Sequence, residues 1–279
     1  MIYTCFTFDV ERDWRTPSTM YLDKNLDLRR PVIWDKYSFS FCKKSMPKFL
    51  EIFKKNKIAA DFFITKEVAE NEAKLIENML SEGHSLGVHV HPYSDMEVAG
   101  KFKLSERSKD LLETYEEESQ RKMIARCKKS VYKYQKTKLF RSGKVSFNAT
   151  TLKIIKELGF KLDSSVPKQK GFFLPRFWKN NFSRLKPFYE DGILRVPHFI
   201  DPSSIGINQL LRRLDIIKKY NWISDPLVVA FLIHPSVYGD PKVKTRNLFS
   251  DFELLVNYLK KNNFNMLSFN NLLTKSSFC

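Results

Sequence analysis

Short apolar runs with the character of strands alternate along this chain with amphipathic stretches that have the spacing of helices. The clearest strand-like runs lie at residues 2–9, 58–65 and 227–234. They are apolar almost throughout, which is typical of strands that are covered on both faces. Helical spacing of apolar residues is found at residues 45–56, 66–81, 149–158 and 207–220. Strands that alternate with helices predict an α/β fold built on a parallel sheet.

Residues 83–92 hold three of the five histidines in the sequence Gly-His-Ser-Leu-Gly-Val-His-Val-His-Pro. Its alternating apolar residues predict a strand, and alternate side chains of a strand share a face. His89 and His91 should therefore point the same way, close enough together to hold a metal ion. The competing interpretation is a pair of solvated or hydrogen-bonded histidines, which an isolated His-x-His motif favours.

Polar residues also end three other predicted strands, at Asp9, Arg141 and His234. In a parallel α/β barrel these strand ends converge on one face, where catalytic residues lie. One carboxylate with two histidines is a common catalytic zinc set, and a carboxylate or a histidine can transfer protons. An arginine beside a carboxylate orients it and lowers its pKa. The shared placement of these groups indicates a catalytic site more strongly than any one of them does alone.

Length and composition limit the domain count and the compartment. The 279 residues fit one large domain, because α/β barrels use about 200–250 residues as a single unit. We expect one domain over residues 1–279, with insertions near 12–44 and 93–137. The four cysteines are scattered, which favours a reducing compartment. No signal-peptide pattern is visible and the longest apolar run, 227–233, is too short to span a bilayer. We therefore expect cytoplasmic localisation, with at most a peripheral membrane contact.

The net charge of +17 is compatible with a nucleic acid, an anionic membrane or an acidic sugar, and does not choose among them. No nucleic-acid-binding motif accompanies the charge, so we expect no nucleic-acid partner. Basic residues at 121–138 fit the solvated face of a helix better than an anion site. Aromatic and basic residues interleave at 168–189, where they could cover a sugar phosphate or simply pack against the barrel.

Five passages of the sequence resemble the NodB-like polysaccharide deacetylases, carbohydrate esterase family 4. They are Thr-Phe-Asp-Val-Glu at 7–11, Ala-Ala-Asp-Phe-Phe at 59–63, the histidine segment at 83–92, Phe-Arg-Ser-Gly at 140–143 with the following helix and strand to 165, and Leu-Ile-His-Pro at 232–235. They occur in the family's order and extend over most of the chain, from residue 2 to about 269. The resemblance implies a distorted parallel (β/α) barrel of about seven strands, with helical and loop insertions.

The resemblance also implies a mononuclear metal site, usually zinc, and hydrolysis of an N-acetyl group on a sugar. Asp9 would be the base that activates water, Arg141 would hold Asp9, and His234 would protonate the leaving amine. The metal ligands would be Glu11, His89 and His91.

Three positions depart from the family pattern. The two acids are usually adjacent, whereas Val10 separates Asp9 from Glu11, so a role for Asp9 as the ligand stays open, with Glu11 or Asp13 placed elsewhere. The second histidine of the family lies four residues after the first, a position that Tyr93 occupies here, which makes His91 a substitute. Lys-Val at 144–145 replaces an aromatic residue of the family. His84 is expected to be structural.

Together these features predict a metal-dependent hydrolase that removes an N-acetyl group from a sugar in the synthesis of surface polysaccharide or lipopolysaccharide precursors. The carbohydrate substrate would be linked to a nucleotide or a lipid. Two alternatives stay open: hydrolysis of another C–N amide bond on the same fold, and a non-catalytic carbohydrate-binding relative. The presence of both Arg141 and His234 argues against a pure binding protein, which needs neither a base clamp nor an acid.

Overall fold

A mainly parallel, curled sheet of nine strands forms the centre of the computed structural model, which describes residues 1–13, 38–100, 107–166, 185–219, 226–240 and 247–275. The strands are β1 (Ile2–Val10), β2 (Asp61–Ile64), β3 (Ser85–Val90), β4 (Leu139–Ser142), β5 (Leu162–Asp163), β6 (Phe188–Glu190), β7 (Ile193–Arg195), β8 (Leu227–Ile233) and β9 (Asn265–Met266). Their order is β6-β7-β5-β4-β3-β2-β1-β8, and β9 also pairs with β1. The pairing of β6 with β7 is antiparallel and the other strand pairings are parallel.

Helices connect most of the strands and cover the outer face of the sheet. They are α1 (Ser40–Asn56), α2 (Lys66–Asn71), α3 (Ala73–Ser81), α4 (Met96–Ala99), α5 (Glu117–Val131), α6 (Ala149–Glu157), α7 (Ile207–Lys219), α8 (Pro235–Gly239), α9 (Leu248–Lys261) and α10 (Phe269–Leu272). Short 3₁₀ turns lie at Pro92–Asp95, Arg107–Asp110, Leu112–Thr114, Gly143–Val145 and Pro202–Ser204. The α/β barrel class predicted from the sequence is therefore confirmed.

Strand β1 is the longest strand of the sheet, and its two faces serve different purposes. It is buried along its whole length and pairs in parallel with β2 on one side and β8 on the other. Phe6 and Phe8 point to the helical layer, where their rings lie 5.4 and 5.6 Å from the ring of Phe53 on α1. Because alternate side chains point to opposite faces, Thr7 and Asp9 face the inside of the curl. The carboxylate of Asp9 thus lies on the concave face at the carboxyl end of β1.

Several element boundaries differ from those predicted. The stretch 66–81 forms two helices, because Glu72 leaves the helical conformation (φ −122°). Helix α1 begins at Ser40, so residues 40–44 of the insertion predicted near 12–44 are helical, and residues 14–37 lie outside the described ranges. Helix α9 begins at Leu248, directly after Asn247, whose side chain accepts a hydrogen bond from the Ser250 amide. Strand β6 was not predicted.

The region near 93–137 contains α4, α5 and three of the 3₁₀ turns, and its helix α5 packs against β3. The thiols of Cys5, Cys42 and Cys127 are buried and free. Among the described residues, none of the helices combines the length and the apolar character that crossing a membrane requires.

Candidate active site

The carboxyl ends of four parallel strands bring the candidate residues to one place on the concave face. Asp9 lies in β1, and Glu11 follows it by two residues. On the neighbouring strands, β3 carries His89 and is directly followed by His91, β4 carries Arg141, and His234 directly follows β8. The rings of His89 and His91 lie on the same side, with centroids 4.9 Å apart, as strand alternation requires. The structure thus places all six predicted site residues together.

The guanidinium group of Arg141 holds Asp9. Its Nη1 donates a hydrogen bond to Asp9 Oδ1 at 2.5 Å, and its Nη2 donates to the hydroxyls of Thr7 and Ser164 at 2.8 and 3.1 Å. Its Cζ also lies 4.1 Å from the ring centre of Phe63. Burial raises the pKa of Asp9, but the positive charges of Arg141 and the nearby histidines outweigh it and hold that pKa well below its usual range. Asp9 is therefore a carboxylate over the whole neutral range.

His234 lies near the second oxygen of the Asp9 carboxylate, the one that Arg141 does not contact. Its Nδ1 lies 3.2 Å from Asp201 Oδ2, while its Nε2 lies 3.8 Å from Asp9 Oδ2 and 4.0 Å from Glu11 Oε1. Burial lowers the pKa of His234, but the hydrogen bond to Asp201 and the charges of these carboxylates raise it to about 9. The imidazole is therefore protonated at neutral pH and can act as an acid.

Glu11, His89 and His91 form a group that could hold a metal ion, since one ligand atom from each lies within 4.8 Å of the others. His91 Nε2 is 3.1 Å and His89 Nε2 is 3.8 Å from Glu11 Oε2. His89 Nε2 is fully buried and has no hydrogen-bond partner in the described parts of the chain. Its other nitrogen lies 3.1 Å from the backbone carbonyl of Arg141, which orients the ring. Two imidazole nitrogens and one carboxylate oxygen fit a catalytic zinc site.

Glu11 is held by a second contact that the sequence did not suggest. The hydroxyl of Tyr93 donates to Glu11 Oε2 at 2.7 Å, so the residue in the family's usual histidine position contacts a carboxylate of the same group. Burial raises the pKa of Glu11, but the charge of His91 and its hydrogen bond outweigh this effect and lower that pKa to about 2. Asp9 Oδ2 is 3.7 Å from His89 Nε2, so Asp9 also lies near the metal group.

Two other candidates lie outside the site. The carboxylate of Asp13 accepts hydrogen bonds from the backbone amides of Phe41 and Cys42 at 2.9 and 3.2 Å, at the start of α1. It therefore anchors a helix instead of joining the metal group. His84 packs its ring edge-on against Phe62, with centroids 5.2 Å apart, and its Nδ1 accepts a hydrogen bond from the amide of Ala60. Burial lowers the pKa of His84 to about 4, which suits a neutral structural residue.

Sequence reasoning missed Asp201 and Asp110, which contact the Nδ1 atoms of His234 and His91. Both follow a chain segment with little periodicity, and the only available signal for Asp201 was an acid directly after the short apolar pair at 199–200.

The basic stretch at 121–138 makes its described ion pairs outside the site. Arg121 on α5 pairs with Glu117 and Glu157 at 3.1 and 2.6 Å, and Lys128 donates to the carbonyl of Leu158. These contacts fit the solvated helix face predicted for 121–138. Most of the aromatic and basic stretch at 168–189 lies outside the described residues.

Comparison with known proteins supports the polysaccharide deacetylases as the relatives of this chain. A sequence model of the polysaccharide deacetylase family matches residues 33–162. The peptidoglycan-N-acetylmuramic acid deacetylase PdaA of Bacillus subtilis is 27% identical over 157 residues, which are 54% of this chain and 51% of that protein. The chain thus spans about half the length of this curated relative.

Two solved structures share the fold. A probable polysaccharide deacetylase from Pseudomonas aeruginosa PAO1 superposes with a TM-score of 0.65 and 12% identity, over 97% of this chain and 89% of that one. A pseudoenzyme of carbohydrate esterase family 4 from Bacillus anthracis superposes with a TM-score of 0.54 and 13% identity, over 97% of this chain and 65% of that one. At these identities the likeness supports the distorted barrel and not an activity.

Proposed function

We propose, from the similarity of this chain to the polysaccharide deacetylase family, that it is a metal-dependent hydrolase that removes an N-acetyl group from a sugar. One observation carries the proposal: Asp9, a carboxylate held by a buried arginine, lies between a possible metal group and a histidine, His234, that Asp201 orients. These are the three kinds of group that amide hydrolysis needs, namely a base, an electrophile and an acid.

Zn²⁺ is the ion that we propose for the group of Glu11, His89 and His91, because their N₂O donor set matches catalytic zinc sites. The buried Nε2 of His89, which lacks a hydrogen-bond partner among the described residues, supports this assignment. When bound, the ion supplies Lewis-acid chemistry and lowers the pKa of a coordinated water toward about 7. Glu11 is our assigned carboxylate ligand, since Arg141 already occupies one oxygen of Asp9.

The remaining steps use the side chains of Asp9 and His234. Asp9, which Arg141 keeps ionised and oriented, accepts a proton from the attacking water while the new C–O bond forms at the acetyl carbonyl. His234 is protonated and held by Asp201, with Nε2 directed to the site. It donates its proton to the amine nitrogen as the C–N bond breaks. The products are acetate and a free amino sugar.

The substrate and the compartment are finer parts of the same proposal. We assign the enzyme to the synthesis of surface polysaccharide or lipopolysaccharide precursors in the cytoplasm, with a substrate linked to a nucleotide or a lipid. The buried free thiols of Cys5, Cys42 and Cys127 suit a reducing compartment. The net charge of +17 suits a substrate that carries phosphate.

Acetate release tests the proposal directly. The purified protein, reconstituted with Zn²⁺ or Co²⁺, would be incubated with N-acetylated oligosaccharides, with nucleotide-linked N-acetylhexosamines and with lipid-linked ones. We expect metal-dependent release of acetate from at least one class, and its loss in the His234→Gln variant. Tight metal binding without acetate from any class would contradict catalysis and favour a carbohydrate-binding protein.

A further inference from the structure

His91 differs from His89, the other candidate imidazole ligand, because it does not lie within a strand. It follows β3 by one residue, and a 3₁₀ turn begins directly after it. A side chain at such a place needs other contacts to fix its direction, since the ladder hydrogen bonds of the sheet end at Val90. The contacts that His91 makes come from two loops, and they are the basis of the inference that follows.

The carboxylate of Asp110 lies against the outer nitrogen of His91. Both of its oxygens are close to His91 Nδ1, at 3.2 and 3.1 Å, while His91 Nε2 lies 3.1 Å from Glu11 on the opposite side. Asp110 is only 3% exposed and ends the 3₁₀ turn Arg107–Asp110, within the region predicted as an insertion. A carboxylate at Nδ1 holds the proton on that nitrogen and leaves Nε2 free to bind a metal ion.

Gly143 provides the space that the His91 ring occupies. A Cβ atom built on Gly143 would lie 2.2 Å from both Cε1 and Nε2 of His91, which is far inside van der Waals contact. On its other side the ring packs against Tyr93, with centroids 4.6 Å apart. Asp110, Gly143 and Tyr93 together therefore leave His91 little freedom to turn away from Glu11.

Lys144 completes the arrangement by pairing with Asp110. Its Nζ lies 2.8 Å from Asp110 Oδ2, so the buried carboxylate is balanced by a cation on one side and contacts the imidazole on the other. Lys144 directly follows Gly143 in the same turn and has a left-handed backbone conformation (φ 53°). The loop after β4 thus contributes both the space for His91 and the counter-ion of Asp110.

We propose that Asp110 is a positioning residue of the metal centre, which fixes the tautomer and direction of His91 so that this histidine can serve as the second imidazole ligand. The proposal rests on the metal site assigned under the proposed function. It makes the region near 93–137 a working part of the site instead of a peripheral insertion. The alternative is a purely structural role, in which Asp110 only stabilises the fold through its pair with Lys144.

Metal affinity distinguishes the two roles. We would measure the dissociation constant for Zn²⁺ by competition with a chromophoric chelator, and the visible spectrum of bound Co²⁺, in the wild type, Asp110→Ala and Asp110→Asn. Loss of a carboxylate that orients a ligating histidine typically weakens metal binding by about 10–100-fold. We expect that loss of affinity for Asp110→Ala. Asp110→Asn should lose less, because its amide oxygen can still accept a hydrogen bond from His91, although more weakly than a carboxylate does.

Asp95→Ala is the matched control. Asp95 is equally buried, at 3% exposed, lies in the same region and pairs with Arg126 at 2.8 Å. Asp95 accepts its hydrogen bond from an arginine, whereas Asp110 contacts a metal-ligand candidate. We expect its loss to lower stability without changing metal affinity. Urea unfolding of each variant would show whether the compared proteins are folded. If Asp110→Ala does not fold, the metal affinity of Asp110→Asn is the test.

The outcomes separate the failure of this proposal from the failure of the proposed function. Unchanged Zn²⁺ affinity in both Asp110 variants, with affinity lost in His91→Ala, would overturn the positioning role and leave the metal site intact. An equal loss of affinity in Asp95→Ala would reduce Asp110 to a structural residue. A wild type that binds no metal after reconstitution would overturn the metal site and this proposal together.

Discussion

The two sides of the candidate site are held by different parts of the fold. On one side, which we call the base side, Asp9, Arg141 and His234 lie within or directly after buried parallel strands. On the other, which we call the ligand side, His89 lies within β3, whereas Glu11 and His91 directly follow their strands and Asp110 lies in a 3₁₀ turn. Strand register fixes Asp9 and Arg141 on the base side, whereas contacts from loop residues hold Glu11 and His91 on the ligand side.

This difference explains where the sequence departs from the family pattern. The base-side residues match it because a displaced residue on a buried strand would move to the opposite face of the sheet. The ligand-side residues depart from it at Glu11, His91 and Tyr93, because a loop can deliver the same donor atoms from a different position. The glycine at 143 and the acid at 110 accommodate the displaced histidine.

The largest expected effect is on catalysis, at the base side. Asp9→Asn should lower kcat/KM for acetate release by about 10²–10⁴, because a general base contributes a factor of this size. Bound zinc should remain, since Glu11 is the assigned ligand. Acetate release would be measured on the best substrate of the panel, with metal content measured on the same samples. Loss of metal in Asp9→Asn would mean that Asp9 is itself a metal ligand, which would contradict the separation of a base side from a ligand side.

The next effect is on stability. Arg141→Met leaves the buried Asp9 carboxylate without its partner and should lower the free energy of unfolding by about 3–5 kcal/mol. Urea unfolding of the metal-free proteins measures it. Adding Asp9→Asn to this variant should restore part of the loss. Arg121→Met is the control, since Arg121 and its partners Glu117 and Glu157 are 32%, 43% and 44% exposed and these pairs should contribute little. Equal losses of unfolding free energy in the two arginine variants would mean that burial does not make the Arg141–Asp9 pair more important for stability than an exposed pair.

A pH-dependent effect is expected beneath the base side, at Asp61 of β2. One of its oxygens accepts a hydrogen bond from the Phe269 amide at 2.6 Å, while the other has no partner among the residues that the structure describes. Burial raises its pKa to about 7, against the backbone hydrogen bonds and the charge of Arg141. The folded state therefore favours the neutral acid, and stability is lost as the pH rises from about 4 to 7.

Asp61→Asn should remove that loss. Relative to the wild type, its unfolding free energy should rise by about 2–3 kcal/mol more at pH 8 than at pH 5, since one unit of pKa shift corresponds to about 1.4 kcal/mol. Urea titrations at the two pH values measure the difference. A constant offset between the two proteins would show that Asp61 is ionised in the folded state at both.

The smallest effect tests the packing of the ligand side. Gly143→Ala should lower the unfolding free energy by about 1–3 kcal/mol, as overpacking does, because its new methyl group collides with His91. In a His91→Ala background the same change should cost little. Gly206→Ala is the control, because a Cβ there would meet nothing within 4 Å. An equal cost of Gly143→Ala in both backgrounds would mean that His91 does not occupy this space.

The same division sets how much of the molecule the sequence could predict. Apolar runs marked β1, β2 and β8, and the polar residues at the ends of β1, β4 and β8 identified Asp9, Arg141 and His234. Nothing in the pattern marked Asp110, and Asp201 had only the weak signal of an acid after the apolar pair at 199–200, because the roles of both residues depend on where a loop returns in space. The division of residues 66–81 into two helices was missed for a related reason: Glu72 breaks the helix without glycine or proline.

Metal content is the quantity that we would measure first, by elemental analysis of the wild type, Glu11→Gln and Asp13→Asn after reconstitution with Zn²⁺. Asp13 is the matched control, because its carboxylate lies two residues from Glu11 and anchors α1. We predict about one zinc ion per chain in the wild type and in Asp13→Asn, and loss of the ion in Glu11→Gln. A wild type without zinc, or full retention of zinc in Glu11→Gln, would contradict the assigned metal centre.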